Sequence, residues 1–211
     1  MTLDMRTAGS LLLVLASMAT AVEAAPVAVV TGNLATDDDV FTTTIHIDTT
    51  GAYRFESWSY AGGTMSDGTV VPAGGFDVIL SVFDAAGQLL QWNDDGGLDR
   101  VDPASSAGFD AFLSLVLDPG DYTLAVTQYD NFAIGPALSD GFTRQGEGNF
   151  TPTLVDDRPC SAASFCDVSD SDARTRTSFF AVEVTPVPLP PALALLGTGL
   201  VGLGLRQRRS T

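Results

Sequence analysis

The sequence predicts an all-β domain, a sandwich of short antiparallel strands, set between two processing segments. Three observations lead there. Between residues 26 and 185 apolar and polar residues alternate in short runs, with no convincing helical stripe. Gly, Asp, Asn and Pro punctuate those runs at turn-like intervals. The long uncharged apolar stretches lie at the two ends, so the 45% hydrophobic content overstates the apolarity of the middle.

The strands follow in order. Phe41–Ile47 and Ala52–Trp58 alternate with period two. Val78–Phe83 is almost wholly apolar, as a strand buried on both faces would be. Gln88–Trp92 follows it across an Asp84-Ala85-Ala86-Gly87 turn. Ala111–Leu117 and Tyr122–Gln128 flank a second turn, Asp118-Pro119-Gly120-Asp121, and Ser178–Val184 closes the set. Strands of this number and length suit two sheets around one core. Residues 133–172 hold few strand-like runs and both cysteines, and are expected to form a long loop.

The first end, residues 1–24, reads as a signal peptide. LLLVLA at 11–16 sits in an apolar stretch from Ala8 to Val22, too short to span a bilayer. Val22-Glu23-Ala24 places small residues for cleavage after Ala24, and a start at Met5 would leave Arg6 as a cleaner positive region than Met1 does, where Asp4 opposes it. At the other end, residues 186–211, prolines 186, 188, 190 and 191 enforce an extended approach. The uncharged run Ala192–Leu205 would span roughly 21 Å as a helix, and Arg206, Arg208 and Arg209 would orient it with that end in the cytoplasm.

The formal charge is −16 and there is no lysine. Nucleic-acid binding depends on Lys and Arg neutralising phosphates, so it is set aside. Most of the negative charge lies between the two end segments, where it favours solubility and cation binding. Cys160 and Cys166, five residues apart, point to a small-loop disulfide in an oxidising compartment. Zinc is the rival, but a single histidine, His46, leaves too few soft ligands for a closed site.

Two resemblances add to this reading. The stretch VPLPPALALLGTGLVGLGLRQRR resembles the PEP-CTERM sorting signal, with a proline motif, an apolar glycine-containing helix and terminal arginines. The variant motif centres on Pro188, Leu189 and Pro190. The resemblance implies an exosortase-type membrane transpeptidase as partner. It further implies transient anchoring in the inner membrane of a Gram-negative bacterium, then transfer to the cell surface or extracellular matrix. A permanent single-pass anchor is the alternative. The second resemblance covers about Asp39 to Asp130. FDVILSVFDAAGQLLQWNDDGG, FDAFLSL and the PGDYTLAV motif at 119–126 are similar to the pre-peptidase C-terminal (PPC) domain. That resemblance implies a jelly-roll-like antiparallel sandwich.

Enzyme chemistry has few footholds. His46 sits mid-strand between two isoleucines and is expected to face outward rather than serve a triad. A carboxylate pair for glycoside hydrolysis is open on composition, but no flanking pattern marks one. The best candidate is a Ca²⁺ site. Asn93, Asp94 and Asp95 supply hard oxygen donors on a glycine-bent loop, and Asp77, Asp99, Asp110 and Asp130 lie at strand ends able to approach it. Calcium-binding members of the PPC family lean the same way. The alternative is that these residues only form turns and cap loops. Asp37-Asp38-Asp39 reads as a solvated acidic loop. Trp58, Tyr60, Trp92, Tyr129 and Phe132 are candidates for stacking on an extracellular polysaccharide or surface protein, with core packing as the alternative. The expectation is a non-catalytic, Ca²⁺-stabilised surface or matrix protein.

Overall fold

A computed structural model describes residues 25–96, 100–154, 163–167 and 176–188. The predicted signal peptide and the sorting segment from Leu189 onward, with Pro190, Arg206, Arg208 and Arg209, lie outside the described residues. Among the described residues no helix is long and apolar enough to cross a membrane.

The chain builds β1 (Ala28–Asn33), β2 (Phe41–Ile47), β3 (Gly51–Ser57), β4 (Gly63–Thr64), β5 (Val70–Val71), β6 (Val78–Phe83), β7 (Leu89–Asn93), β8 (Phe112–Leu117), β9 (Gly120–Gln128) and β10 (Phe179–Pro186). One four-stranded sheet runs β1-β10-β3-β8 and the other β2-β9-β6-β7, every pairing antiparallel. With the short β4–β5 hairpin set aside, the sheets join strands first-last-third-sixth and second-seventh-fourth-fifth. This is the strand order of a jelly roll. The predicted strands fall where the alternation placed them. β1 and the β4–β5 hairpin were not foreseen.

The period-two pattern builds the core. Tyr53 and Phe55 of β3, Leu113 and Leu117 of β8, and Phe180, Val182 and Val184 of β10 face Ile45 and Ile47 of β2, Val78, Leu80 and Val82 of β6, and Leu124 and Val126 of β9. Phe180 packs at tilted or edge angles against Phe41 and Phe76. β1 approaches it so closely that a Cβ at Gly32 would lie 2.7 Å from the ring, so only glycine fits there.

β6 is buried at every position, because both its faces are covered. Its outward Phe83 packs with Ala125 under Phe142 of the long loop. That loop is therefore an outer layer over the second sheet. The Gln88–Ala137 bridge ties it to the turn before β7, while an internal Ala133–Phe142 bridge and a 3₁₀ turn at Leu138–Asp140 shape it. A short helix, α1 (Thr151–Leu154), follows. On the other sheet the β4–β5 hairpin covers β10, with Met65 and Val71 against Ala181. There the buried Glu183 carboxylate accepts hydrogen bonds from the Ser66 amide at 2.9 Å and from its hydroxyl.

The acidic loop before β2 differs from expectation. Asp37 is fully buried, and its carboxylate accepts hydrogen bonds from the Cys166 amide at 2.8 Å and the Thr151 amide at 3.1 Å. It thus pins α1 and the 163–167 segment to the sandwich. Asp38 and Asp39 accept from the Thr36 hydroxyl at 2.6 and 3.0 Å, and Asp38 also accepts from the Gly146 amide of the long loop at 2.8 Å. The run is an anchor because a carboxylate can satisfy several backbone N–H groups that no strand pairs.

His46 faces outward, as its alternation predicts. Nδ1 lies 2.6 Å from Asp121 Oδ1, its cross-strand partner, and Nε2 lies 3.4 Å from Asp48. The Asp121 hydrogen bond, aided by both carboxylate charges, raises its pKa above the ordinary 6.5. A raised histidine adds stability that is present below the ordinary value and is lost as pH rises through the folded value. An NMR titration should therefore find its midpoint above 6.5, returning toward 6.5 in Asp121→Asn. A midpoint at or below 6.5 in the unaltered protein would refute the pairing.

Candidate metal centre

The topology brings one set of strand ends together. β6 begins beside the end of β9, with Val78 opposite Gln128, and beside the end of β7, with Leu80 opposite Asn93. Asp77 precedes β6, Asp94 and Asp95 follow β7, and Asp130 follows β9 by two residues. Asp110 arrives from the facing sheet, just before β8.

These carboxylates do different work. Asp110 is buried and fully engaged. Its Oδ1 accepts from the Ser57 hydroxyl at 2.8 Å and the Tyr60 amide at 3.0 Å, and its Oδ2 from the Ala61 amide at 2.9 Å, with Arg100 Nε at 3.6 Å. Burial pushes its pKa up, and the Ala61 amide and Arg100 pull it back only in part. Asn93 Oδ1 accepts the Phe112 amide at 3.0 Å, joining β7 to β8. Asp130 pairs with Arg144 at 2.7 Å. These three of the expected ligands are engaged by protein groups, and Asp99 lies outside the described residues.

Asp77 is the exception. It is 5% exposed, and its Oδ1 is buried with no hydrogen-bond partner. Burial first, then the negative charges of Asp167, Asp95, Asp94 and Asp110, push its carboxyl well above the ordinary carboxylate range. Burial and Asp94 likewise raise Asp95. Gln128 supplies a second orphan. Its Nε2 donates to Cys166 O at 2.7 Å and Thr151 Oγ1 at 3.0 Å, which fixes the amide orientation, and leaves Oε1 buried without a donor. The Asp77 Oδ1, a buried acceptor lacking a donor and exposed to the charge of several carboxylates, is what a hard cation would satisfy. Among the described residues, no three His, Cys, Asp or Glu side chains stand close enough together to hold a metal ion by themselves.

A search of solved structures finds similarity to the pre-peptidase C-terminal domain of a collagenase from Bacillus anthracis. Identity is 10% and the TM-score 0.35, over 75% of this chain and 88% of that one. No protein-family model matches the chain, and no curated protein matches it. At that score the likeness carries nothing about family or ligand. The antiparallel sandwich rests on its own hydrogen-bonded ladders.

Asp167 and Gln128 had no signal in the sequence. Asp167 is fully buried and enters through the 163–167 segment that Asp37 anchors. Cys166 is buried in the same segment, while its expected partner, Cys160, lies outside the described residues. Of the aromatic candidates, Tyr60 is core, with the Arg176 guanidinium 3.5 Å from its ring centre. Trp58 lies under Arg100, 3.7 Å from its ring centre. Trp92, Tyr129 and Phe132 meet at the surface. A cleft of about 310 Å³ opens on the first sheet, lined by Arg54, Glu56, Trp58, Gly96, Arg100, Asp110 and Phe112. Its charges are internally compensated, with Arg100 3.1 Å and Arg54 3.6 Å from Glu56.

Proposed function

We propose that this chain is an exported, non-catalytic surface or extracellular-matrix protein whose jelly-roll sandwich is stabilised by Ca²⁺ at its acidic end. The observation that carries the calcium reading is Asp77, a buried carboxylate with an unpartnered oxygen among Asp94, Asp95 and Asp167. Clustered like charges in a low-dielectric site destabilise a fold unless a counter-charge is present. This reading assigns the Asp77 carboxylate as the protein donor, with the charges of Asp94, Asp95 and Asp167 drawing the cation in and solvent completing the shell.

Export is supported by the signal-peptide pattern at 1–24 and by the likeness of residues 186–211 to a PEP-CTERM tail. On this reading an exosortase-type transpeptidase acts near Pro188–Pro190, and Cys160 and Cys166 are joined outside the cytoplasm. Pro188 ends the described chain exposed, two residues beyond β10, so a processing enzyme would meet it without unfolding the sheet.

A thermal melt tests the cation. The full chain in excess CaCl₂ should melt about 5–10 °C above the same protein in EDTA. That shift corresponds to about 2.7 kcal/mol at a hundredfold excess over Kd, at about 2–4 °C per kcal/mol for a chain of this size. Equal midpoints would sink the calcium reading. Cell fractionation tests export separately: an unprocessed chain with reduced thiols in the cytoplasm would sink it and leave the calcium result untouched.

A further inference from the structure

The outer layer over the second sheet leaves a step of aromatic rings uncovered. Trp92 and Phe132 have ring centres 5.1 Å apart at 70°, and Phe132 and Tyr129 5.6 Å apart at 82°. Trp92 is 47% exposed and Tyr129 36%. The register explains the exposure. Trp92 lies opposite Ser81 on the edge strand β7. The long loop closes over Phe83 and Ala125 with Phe142, and its Phe132 meets Trp92 edge-on. Large rings adjoining one another at the surface, with a polar rim, mark a recognition site more often than scattered apolar residues do.

The rim decides the class of ligand. Asp130 beside Tyr129 is paired with Arg144 at 2.7 Å, and Arg144 also reaches Glu147 at 3.4 Å. The charges of Asp94 and Asp95, which follow Trp92 in the chain, are offset by the cation on the reading above, on which this part of the argument rests. The rim therefore offers oxygen acceptors whose charge is compensated. Such acceptors suit hydroxyl donors. A uronate or sulfated polymer would face a chain of charge −16 with no lysine, and long-range repulsion would oppose its approach. A second copy of this chain would meet the same repulsion. Aromatic rings flanked by uncharged or compensated acceptors fit the apolar faces and hydroxyl edges of sugar rings. We propose that Trp92, Phe132 and Tyr129 form a binding face for a neutral polysaccharide.

Affinity electrophoresis of the full chain in mild detergent tests this, in native gels with Ca²⁺ containing mixed-linkage β-glucan, dextran, galactomannan, xylan or polygalacturonate. At least one neutral polymer should retard the protein. Trp92→Ala and Tyr129→Ala should weaken that retardation by about tenfold or more, with melting midpoints close to the unaltered protein because both rings are exposed. Trp58→Phe, whose ring lies beneath Arg100, should bind normally. The proposal is overturned if no neutral polymer retards the protein, or if both alanine variants are retarded like the unaltered protein. It is also overturned if only polygalacturonate binds, or if only an oligo-arginine peptide binds and the Trp92 variant loses it, which would make the face a basic-peptide site. The melt in EDTA stays a separate readout: a calcium effect without glycan binding leaves the cation reading standing, and glycan binding without a calcium effect leaves this one.

Discussion

Replacing Asp110 by alanine is expected to destabilise the sandwich by about 3–5 kcal/mol, the cost of breaking a buried, fully bonded charge. The buried amides of Tyr60 and Ala61 and the Ser57 hydroxyl would lose their acceptor together. The Ser57 hydroxyl also accepts the Ala111 amide at 2.9 Å, so the end of β3 and the approach to β8 would loosen as one unit. Arg100 would lose a counter-charge but keep Glu56 and the Ser57 carbonyl. Asp110→Asn should fall between the two, because its amide keeps one acceptor and turns two N–H groups toward existing donors. Urea unfolding measures this. The loss should be the same in Ca²⁺ and in EDTA, since Asp110 is engaged by protein groups. A loss below about 1 kcal/mol would show that solvent replaces these bonds, as it does at exposed sites.

Asp77→Asn is expected to act in opposite directions with and without calcium. In EDTA at neutral pH the variant should be more stable than the unaltered protein by about 1–3 kcal/mol, the scale of an uncompensated buried group, because the neutral amide removes a buried charge that faces Asp94, Asp95 and Asp167. In Ca²⁺ the order should reverse, and the variant should lose most of the calcium response. The pH dependence has a definite sign. The folded-state pKa of Asp77 is raised, so folding favours its protonated form. The associated stability is fully present below the ordinary value of 3.8 and is lost as pH rises through the folded value. Metal-free protein should thus weaken as pH climbs above that range, and Asp77→Asn should weaken less. If metal-free Asp77→Asn proves less stable than the unaltered protein at pH 7, protein groups already hold the carboxylate and the cation reading fails.

These two aspartates show how much of the site was legible beforehand. Both precede a strand, and both stood among the expected ligands. Strand-end position is readable because turns and period-two alternation are local. The partner of each carboxylate is not local. Asp110 meets amides fifty and forty-nine positions away, and Asp77 faces the charge of Asp167 from the far end of the long loop. Asp37 was misjudged for the same reason. Acidic runs are usually solvated, and only the arrival of the Cys166 and Thr151 amides makes this one an anchor.

The strands divide along the same line. Val78–Phe83 announced its double burial through a run apolar at every position but Ser81, and β2, β3, β8, β9 and β10 through alternation. β1 went unnoticed, although it alternates half-buried and exposed positions, because its register depends on β10, some 150 residues later. The β4–β5 hairpin is two residues on each side, too short for any period to register.

Local chemistry was thus enough to establish an all-β chain, its turns and its acidic character, because backbone preference and side-chain alternation act over a few residues. Pairing order, the covering of both outer faces, and the choice of which aspartate is neutralised by amides and which is left bare were settled only by folding. Those outcomes depend on contacts between segments distant in sequence, where the cost of burying a charge is set by whatever the rest of the chain brings beside it.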